Sequence, residues 1–253
     1  MARRIPILTF HAIEERPGVI GFPPSALRRA LRHLREKGHR SIRLSEVAAL
    51  LASGQAFPDR SFVITFDDGY RNVYEAAFPI LQELGLTATV FLTVGPSGAE
   101  ASPQRFPPLG GRPMLSWAEV REMAAAGLEF GAHTLTHPDL KRLSPDQAET
   151  EIAESKKRIE DALGTPVEGF AYPFGRYDPV SVEIVRGLFH CACSDRLGLV
   201  TTGSDRWLLP RVDAYYLRSL LVFALTATPW LGAYLALRNI PRQMRRRLAS
   251  RVE

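Results

Sequence analysis

The stretch "VITFDDGY", residues 63–70, runs a strand-forming segment straight into two adjacent aspartates, a glycine and a tyrosine. Val, Ile, Thr and Phe favour strands, and Asp and Gly end them in turns. Two readings fit the carboxylate pair. One is an ordinary turn. The other is a site, because neighbouring carboxylates repel, so that one can serve as a base while the other holds a cation. The segments on either side decide between them.

Outward from this strand, the chain alternates strand and helix patterns as far as residue 212. "IPILTF" (5–10) reads as a strand. "SALRRALRHLREKG" (25–38) reads as a helix with Ser25 as N-cap, Leu27, Ala30, Leu31 and Leu34 on one stripe, and Gly38 as the stop. "SIRL" precedes a short helix after Ser45, and residues 72–84 form a helix closing at Gly85. "TATVFLTV" (87–94) is a strand. "SWAEVREMAAAG" opens on a capping box, Ser116 and Glu119, and closes at Gly127. The strand "LEFGAH" follows, then a long helix from Ser144 and Pro145 to Leu163 and Gly164. "EGFAYPFG" (168–175) and "HCACS" (190–194) are strands around a short helix that Asp178 caps. Repeated βα units predict parallel strands with helices outside, in a barrel or a doubly wound sheet. Residues 95–114 read as an irregular loop long enough to cover a site.

With 253 residues, 45% hydrophobic and 23% charged, the chain can build one large core. Cys191 and Cys193, two apart on one strand, read as core thiols rather than a bridge and suit a reducing compartment. "MARRIPILTFHAI" holds no signal-peptide core, so a cytoplasmic location is expected. The whole +5 excess belongs to residues 238–253, with six arginines and one glutamate; the rest of the chain is balanced. That basic stretch has no aromatic interleaving, so nucleic acid is not the expected partner.

In a parallel barrel the site lies at the C-terminal strand ends. The unusual polar residues fall there repeatedly: His11 after "ILTF", Asp67 and Asp68 after "VITF", His133 after "LEFGA", and Tyr172 to Phe174 after "EGFA". "HTLTH" sets His133 and His137 four apart, a spacing that on a helical turn aims both imidazoles at one cation. Two imidazoles and a carboxylate suit zinc, with cobalt, nickel or iron as alternatives, better than magnesium.

These motifs resemble the polysaccharide deacetylase family, carbohydrate esterase family 4, whose shared region is the NodB homology domain. The family's TFDDG stands at Thr65 to Gly69 and its H-[S/T]-x-x-H at His133 to His137. The resemblance covers about residues 5–212. It implies an α/β fold, a distorted (β/α) barrel over 1–212, to which residues 213–253 add an apolar, then arginine-rich helical extension. It also implies Asp67 as general base, with Asp68, His133 and His137 as ligands of a divalent metal. The reaction implied is hydrolysis of an N-acetyl or O-acetyl group of a carbohydrate, with a lipid-linked or cell-envelope saccharide as a suitable substrate.

The family's third motif, R-x-P-[Y/F], is incomplete: Ala171 stands where the arginine belongs, before Tyr172, Pro173 and Phe174, which would line the substrate site. Arg211, in "LLPR", is the candidate to reach Asp67 instead; a surface arginine is the competing reading. The family's late histidine has no match, so His11 is the candidate acid, resembling an early strand-end histidine of the poly-N-acetylglucosamine deacetylase branch. Hydrolysis of a non-sugar amide and a decayed carbohydrate-binding barrel remain alternatives.

Residues 219–237 carry no charge over 19 positions. A membrane-spanning anchor, a helical pair on the membrane surface, and a helix packed on the barrel or a dimer partner all fit. Peripheral contact with the inner membrane face through residues 219–251 is the expectation, with arginines on anionic headgroups.

Overall fold

The computed structural model describes residues 3–15, 18–95, 106 and 109–249, with side chains of the last helix as far as Ile240. Seven parallel strands close into a ring: β1 (Ile7–Phe10), β2 (Ser61–Phe66), β3 (Thr89–Leu92), β4 (Glu129–Ala132), β5 (Gly169–Ala171), β6 (Cys191–Leu197) and β7 (Leu209–Asp213). They pair in chain order from β2 to β7, and β1 bridges the two ends, with Thr9 opposite both Thr65 and Asp213. The register between β6 and β7 shifts between Cys193 and Leu197, which distorts the ring on that side.

Strand alternation sorts the side chains into two layers. Ile7, Val63, Phe91, Ala171, Cys191, Cys193 and Leu209 fill the barrel interior. Leu8, Ile64, Phe66, Val90, Phe170 and Val212 face outward, under the helices. The cysteines are unpaired and buried.

The helices are α1 (Pro24–Glu36), α2 (Leu44–Ala52), α3 (Phe78–Leu84), α4 (Trp117–Ala125), α5 (Pro145–Leu163) and α6 (Pro179–Leu188). The α1 stripe Leu27, Ala30, Leu31 and Leu34 is buried as its spacing predicts. Ser144 and Asp178 accept bonds from the first turns of α5 and α6.

Three boundaries differ from the sequence reading. Helix α1 begins at Pro24, so Ser25 lies inside its first turn and does not cap it; proline's fixed φ suits that first position and its missing N–H costs nothing there. Helix α2 begins at Leu44, because the Glu129 carboxylate at the start of β4 accepts the N–H groups of Leu44 and Ser45. The expected helix 72–84 is a wide π-type turn, Val73–Ala77, followed by α3, since Pro79 has no N–H for a carbonyl one turn back.

The apolar segment 219–237 is not one helix. It forms the short α7 (Leu220–Phe223), a tight turn Ala224–Ala227, and the start of α8 (Leu231–Ala249). Phe223, Leu231 and Leu235 are buried. The Tyr234 hydroxyl donates to the Tyr216 carbonyl at 2.7 Å, and Asn239 Nδ2 donates to the Leu197 carbonyl at 2.7 Å. Among the described residues no helix is long and apolar enough to cross a membrane. Pro229 sits in the break, and burial of the inner face against the barrel takes the place of burial in lipid.

Candidate functional site

Beyond the end of β2, the Asp67 N–H still bonds the Phe10 carbonyl at 2.9 Å, so this carboxylate rises from the barrel on a fixed backbone. The chain then turns sharply. Asp68 has φ 73° and Gly69 φ 84°, both left-handed. The two aspartates therefore aim in different directions. Asp68 takes part in the turn itself, together with Gly69. A Cβ on Gly69 would sit 3.0 Å from Leu92 Cδ2, so both space and conformation select glycine.

His133 and His137 are brought together by a loop, not by the helical turn that their spacing suggested. Thr134 (φ 68°) and His137 (φ 61°) are left-handed, and such conformations persist only where surroundings hold them. Glu151 of α5 does the holding. Its carboxylate accepts the N–H groups of Leu135 and Thr136, each at 2.9 Å, and the Thr136 hydroxyl at 2.6 Å. His137 N–H adds a bond to the Thr134 hydroxyl. Glu151 had no signal in the sequence, being one acid among several on a solvated helix.

The loop sets His133 Nε2 at 3.4 Å and His137 Nε2 at 3.3 Å from Asp68 Oδ1. One ligand atom from each of the three lies within 4.8 Å of the other two. His133 Nδ1 is 2.7 Å from the Ala171 carbonyl, which can only accept. That contact places the proton on Nδ1 and leaves the Nε2 lone pair for a cation. Burial alone would push the Asp68 carboxyl up, but hydrogen bonds from His133 and His137, made when their Nε2 atoms carry protons in place of a cation, outweigh it and hold it well below the usual carboxylate range. Two neutral imidazole nitrogens and an ionised oxygen fit a divalent cation.

Asp67 has a different partner. Arg211 of β7 donates to it through both terminal nitrogens, Nη1 to Oδ1 and Nη2 to Oδ2, each at 2.7 Å. The same guanidinium donates through Nε to the Ser194 carbonyl and lies over the Phe91 ring at 6.0 Å. Both residues are buried. Ala171 faces the interior beside Phe91 and Cys193. Its short side chain leaves that volume open to an arginine entering from two strands away. Burial raises the Asp67 carboxyl, yet the Arg211 charge and its hydrogen bonds prevail and keep it below the usual range.

His11 follows β1 and is only partly buried. Its Nε2 is 3.9 Å from Asp67 Oδ2. Of the trio after β5, Phe174 alone turns its side chain to the open site: it is exposed, left-handed at φ 56°, and its ring lies 4.5 Å from that of His137. Tyr172 forms part of the cavity wall, but strand alternation puts it on the outer face with Phe170. Its ring packs 5.2 Å from Phe170 and 5.3 Å from Tyr177, and its hydroxyl has no partner among the described residues. Pro173 is buried. Tyr172 is thus part of the cavity wall and of the packing layer at once, while Pro173 is not among the residues of that wall.

A cavity of about 510 Å³ joins these groups, with Asp67, Asp68, His11, His133, His137, Phe174 and Arg211 all in its wall. Tyr70, next to the aspartate pair and passed over in the sequence, is buried there too. Burial and the neighbouring Asp68 push its hydroxyl up, and Arg112 lies 5.6 Å from its ring centre. Asp195 and Asp213 add carboxylates to the wall. Of the loop 95–114, Leu109 and Gly110 reach the cavity; residues 96–105 and 107–108 lie outside the described residues. Trp117 and Trp207 pack elsewhere, against Phe106 and beneath Arg206. His190 is exposed beside Glu168.

Comparison with known proteins follows the same geometry. The Bacillus subtilis (strain 168) protein YxkH, named for polysaccharide deacetylase activity, is 29% identical over 180 residues, covering 71% of this chain and 60% of YxkH. The poly-beta-1,6-N-acetyl-D-glucosamine N-deacetylase of Escherichia coli (strain K12) is 33% identical over 116 residues, which is 44% of this chain and 17% of that enzyme. The chain thus spans less than two thirds of the length of either relative. The structure of the Streptococcus pyogenes deacetylase PplD superposes with a TM-score of 0.79 at 24% identity, over 90% of this chain and 100% of PplD, and shares the fold. Residues 54–188 match the family model Polysaccharide deacetylase. That match takes in more than half of the chain and the strands that carry Asp67, Asp68, His133 and His137, so the chain belongs to the polysaccharide deacetylase family.

Proposed function

We propose that the protein removes acetyl groups from an N-acetylated carbohydrate, with a divalent metal held by Asp68, His133 and His137. One observation carries the reading: a three-donor cluster with an open side shares a cavity with a separate carboxylate that an arginine keeps ionised. The similarity to an N-acetylglucosamine polymer deacetylase supports the sugar and the amide. A decayed barrel that only binds sugar is disfavoured, because the donor set and the base are both complete.

A bound cation, zinc by its donors, supplies Lewis-acid polarisation of the acetyl carbonyl. Asp67, ionised at neutral pH, takes a proton from the attacking water, and Arg211 fixes the carboxylate's orientation in both states. The new C–O bond forms first, shifting the carbonyl π pair onto oxygen, and the amide C–N bond breaks as that pair returns and the amine takes up a proton. His11 Nε2, on the open side of Asp67, returns a proton to the leaving amine. The Phe174 N–H is the candidate donor to the developing oxyanion, a role that needs backbone only. The exposed Phe174 ring offers an apolar edge for a sugar face.

Acetate release from N-acetylglucosamine oligomers is expected to stop when the protein is stripped with a chelator and to return on addition of zinc. A stripped protein with its full rate would overturn the proposal. Glu151→Ala should release the histidine loop. Its metal affinity is expected to fall about 10- to 100-fold, as when groups that orient ligands are removed, with circular dichroism unchanged. A metal titration matching the wild type would show that the loop needs no such anchor.

A further inference from the structure

The extension after β7 presents apolar side chains that the barrel does not cover. Leu221 is 84% exposed, Trp230 71%, Leu237 66% and Ile240 53%, with Leu220 half-exposed beside them in α7. The inner faces of the same segments are spent on packing, through Phe223, Leu231 and Leu235. On α8, helical spacing sets Leu237 and Ile240 away from the buried Leu231 and Leu235, so this helix carries an outward apolar side as well as an inner one.

The charge beside it selects the occupant. Arg238 is exposed between Leu237 and Ile240, and residues 238–253 hold the chain's whole net charge, six arginines against one glutamate. On α8, Leu237 and Ile240 are three apart with the exposed Arg238 between them, and the sequence that follows holds arginines at 242, 245, 246 and 247. An apolar stripe flanked by arginines, with an indole nearby, is the pattern of a helix that lies in a membrane interface. A protein partner would be served by the apolar face alone; the surplus of arginine is what an anionic bilayer adds.

The extension is also tied to residues of the cavity wall. Tyr216, whose carbonyl anchors Tyr234 of α8, and Leu197, whose carbonyl anchors Asn239, both belong to it. Arg218, just ahead of α7, donates to the Gly21 carbonyl at 3.1 Å and so ties the extension to the segment carrying Val19 and Ile20 of the cavity rim.

We propose that α7 and α8 form a docking surface for an anionic lipid bilayer, which holds the cavity mouth near saccharide presented at the membrane surface. The docking rests on the extension alone; the presented saccharide rests on the deacetylase reading. Full-length protein is expected to co-sediment with phosphatidylcholine vesicles containing phosphatidylglycerol, and to do so far less with phosphatidylcholine alone or at high salt. Leu237→Asp combined with Ile240→Asp, both outward-facing, should weaken binding at least about tenfold and leave acetate release from soluble oligomers unchanged. Equal sedimentation with neutral and anionic vesicles, or wild-type binding by the double variant, would overturn the docking surface. So would a lipid-free dimer that the double variant dissociates, since the face would then belong to a second copy. Failure of acetate release with vesicle binding intact would instead remove only the deacetylase reading.

Discussion

Asp67→Asn is expected to lower acetate release by about two to four orders of magnitude, the range for removing a positioned general base. Metal should still bind at the wild-type stoichiometry, because Asp68 and the two histidines are untouched. The substitution leaves the buried Arg211 with one good acceptor instead of two, so some stability is lost, and the assay belongs well below the variant's own melting point. A variant that keeps its metal, stays folded and still releases acetate at the wild-type rate would remove Asp67 as the base. The expectation is sharp because the structure gives the adjacent aspartates separate partners. Asp68 faces two imidazoles and Asp67 a guanidinium.

Arg211→Met should be the most destabilising single change in the site. It keeps the length of the side chain and abandons a buried carboxylate, which costs about 3–5 kcal/mol. For a chain of this size the melting temperature should drop on the order of 10 °C. The pH dependence gives a second readout. In the wild type the Asp67 carboxyl is held below its ordinary value. Its contribution to stability is therefore present above the unfolded value, about 3.9, and is lost as pH falls through the lower folded one. Without Arg211 the burial effect remains, and it raises the carboxyl. The variant should then gain stability as Asp67 takes up a proton, and the gap between the two proteins should narrow towards pH 4. Urea unfolding at neutral and acidic pH measures that gap; an identical gap at both would show that the buried pair is not its origin. Activity should fall with the arginine as well, since an unheld Asp67 binds its proton more tightly and points less consistently.

Much of this protein was legible because its signals are local. The strand 63–66 is built of strand-forming, mostly apolar residues, its carboxylates follow immediately, and the histidines lie within five residues of one another. The βα alternation narrowed the fold to a barrel or a doubly wound sheet, since repeated units of that kind have few ways to bury both faces of a parallel sheet, and the family resemblance pointed to the barrel. The family resemblance supplied roles that spacing alone left open. What misled was local too. The four-residue histidine spacing suggested a helical turn, whereas the left-handed Thr134 and His137 are held by Glu151 from a helix further along. "AYPF" suggested substrate contacts without showing how its side chains divide: alternation along β5 packs the Tyr172 ring beside Phe170 in the cavity wall, while Phe174 is exposed to the site.

Sequence, with the family resemblance it carries, pointed to the barrel class, the metal-type donor set and the separate aspartate at its side, and it fixed the location of all net charge in the tail. It named Arg211 as a candidate with a surface arginine equally open. Tertiary structure decided that point, because Arg211 and Asp67 stand 144 positions apart and meet only when the ring of strands closes. The interior volume beside Ala171, the anchoring of the histidine loop by α5 and the break in the apolar segment 219–237 have the same origin. Each depends on which surfaces are buried against which, a property of the closed barrel that no short stretch of residues contains.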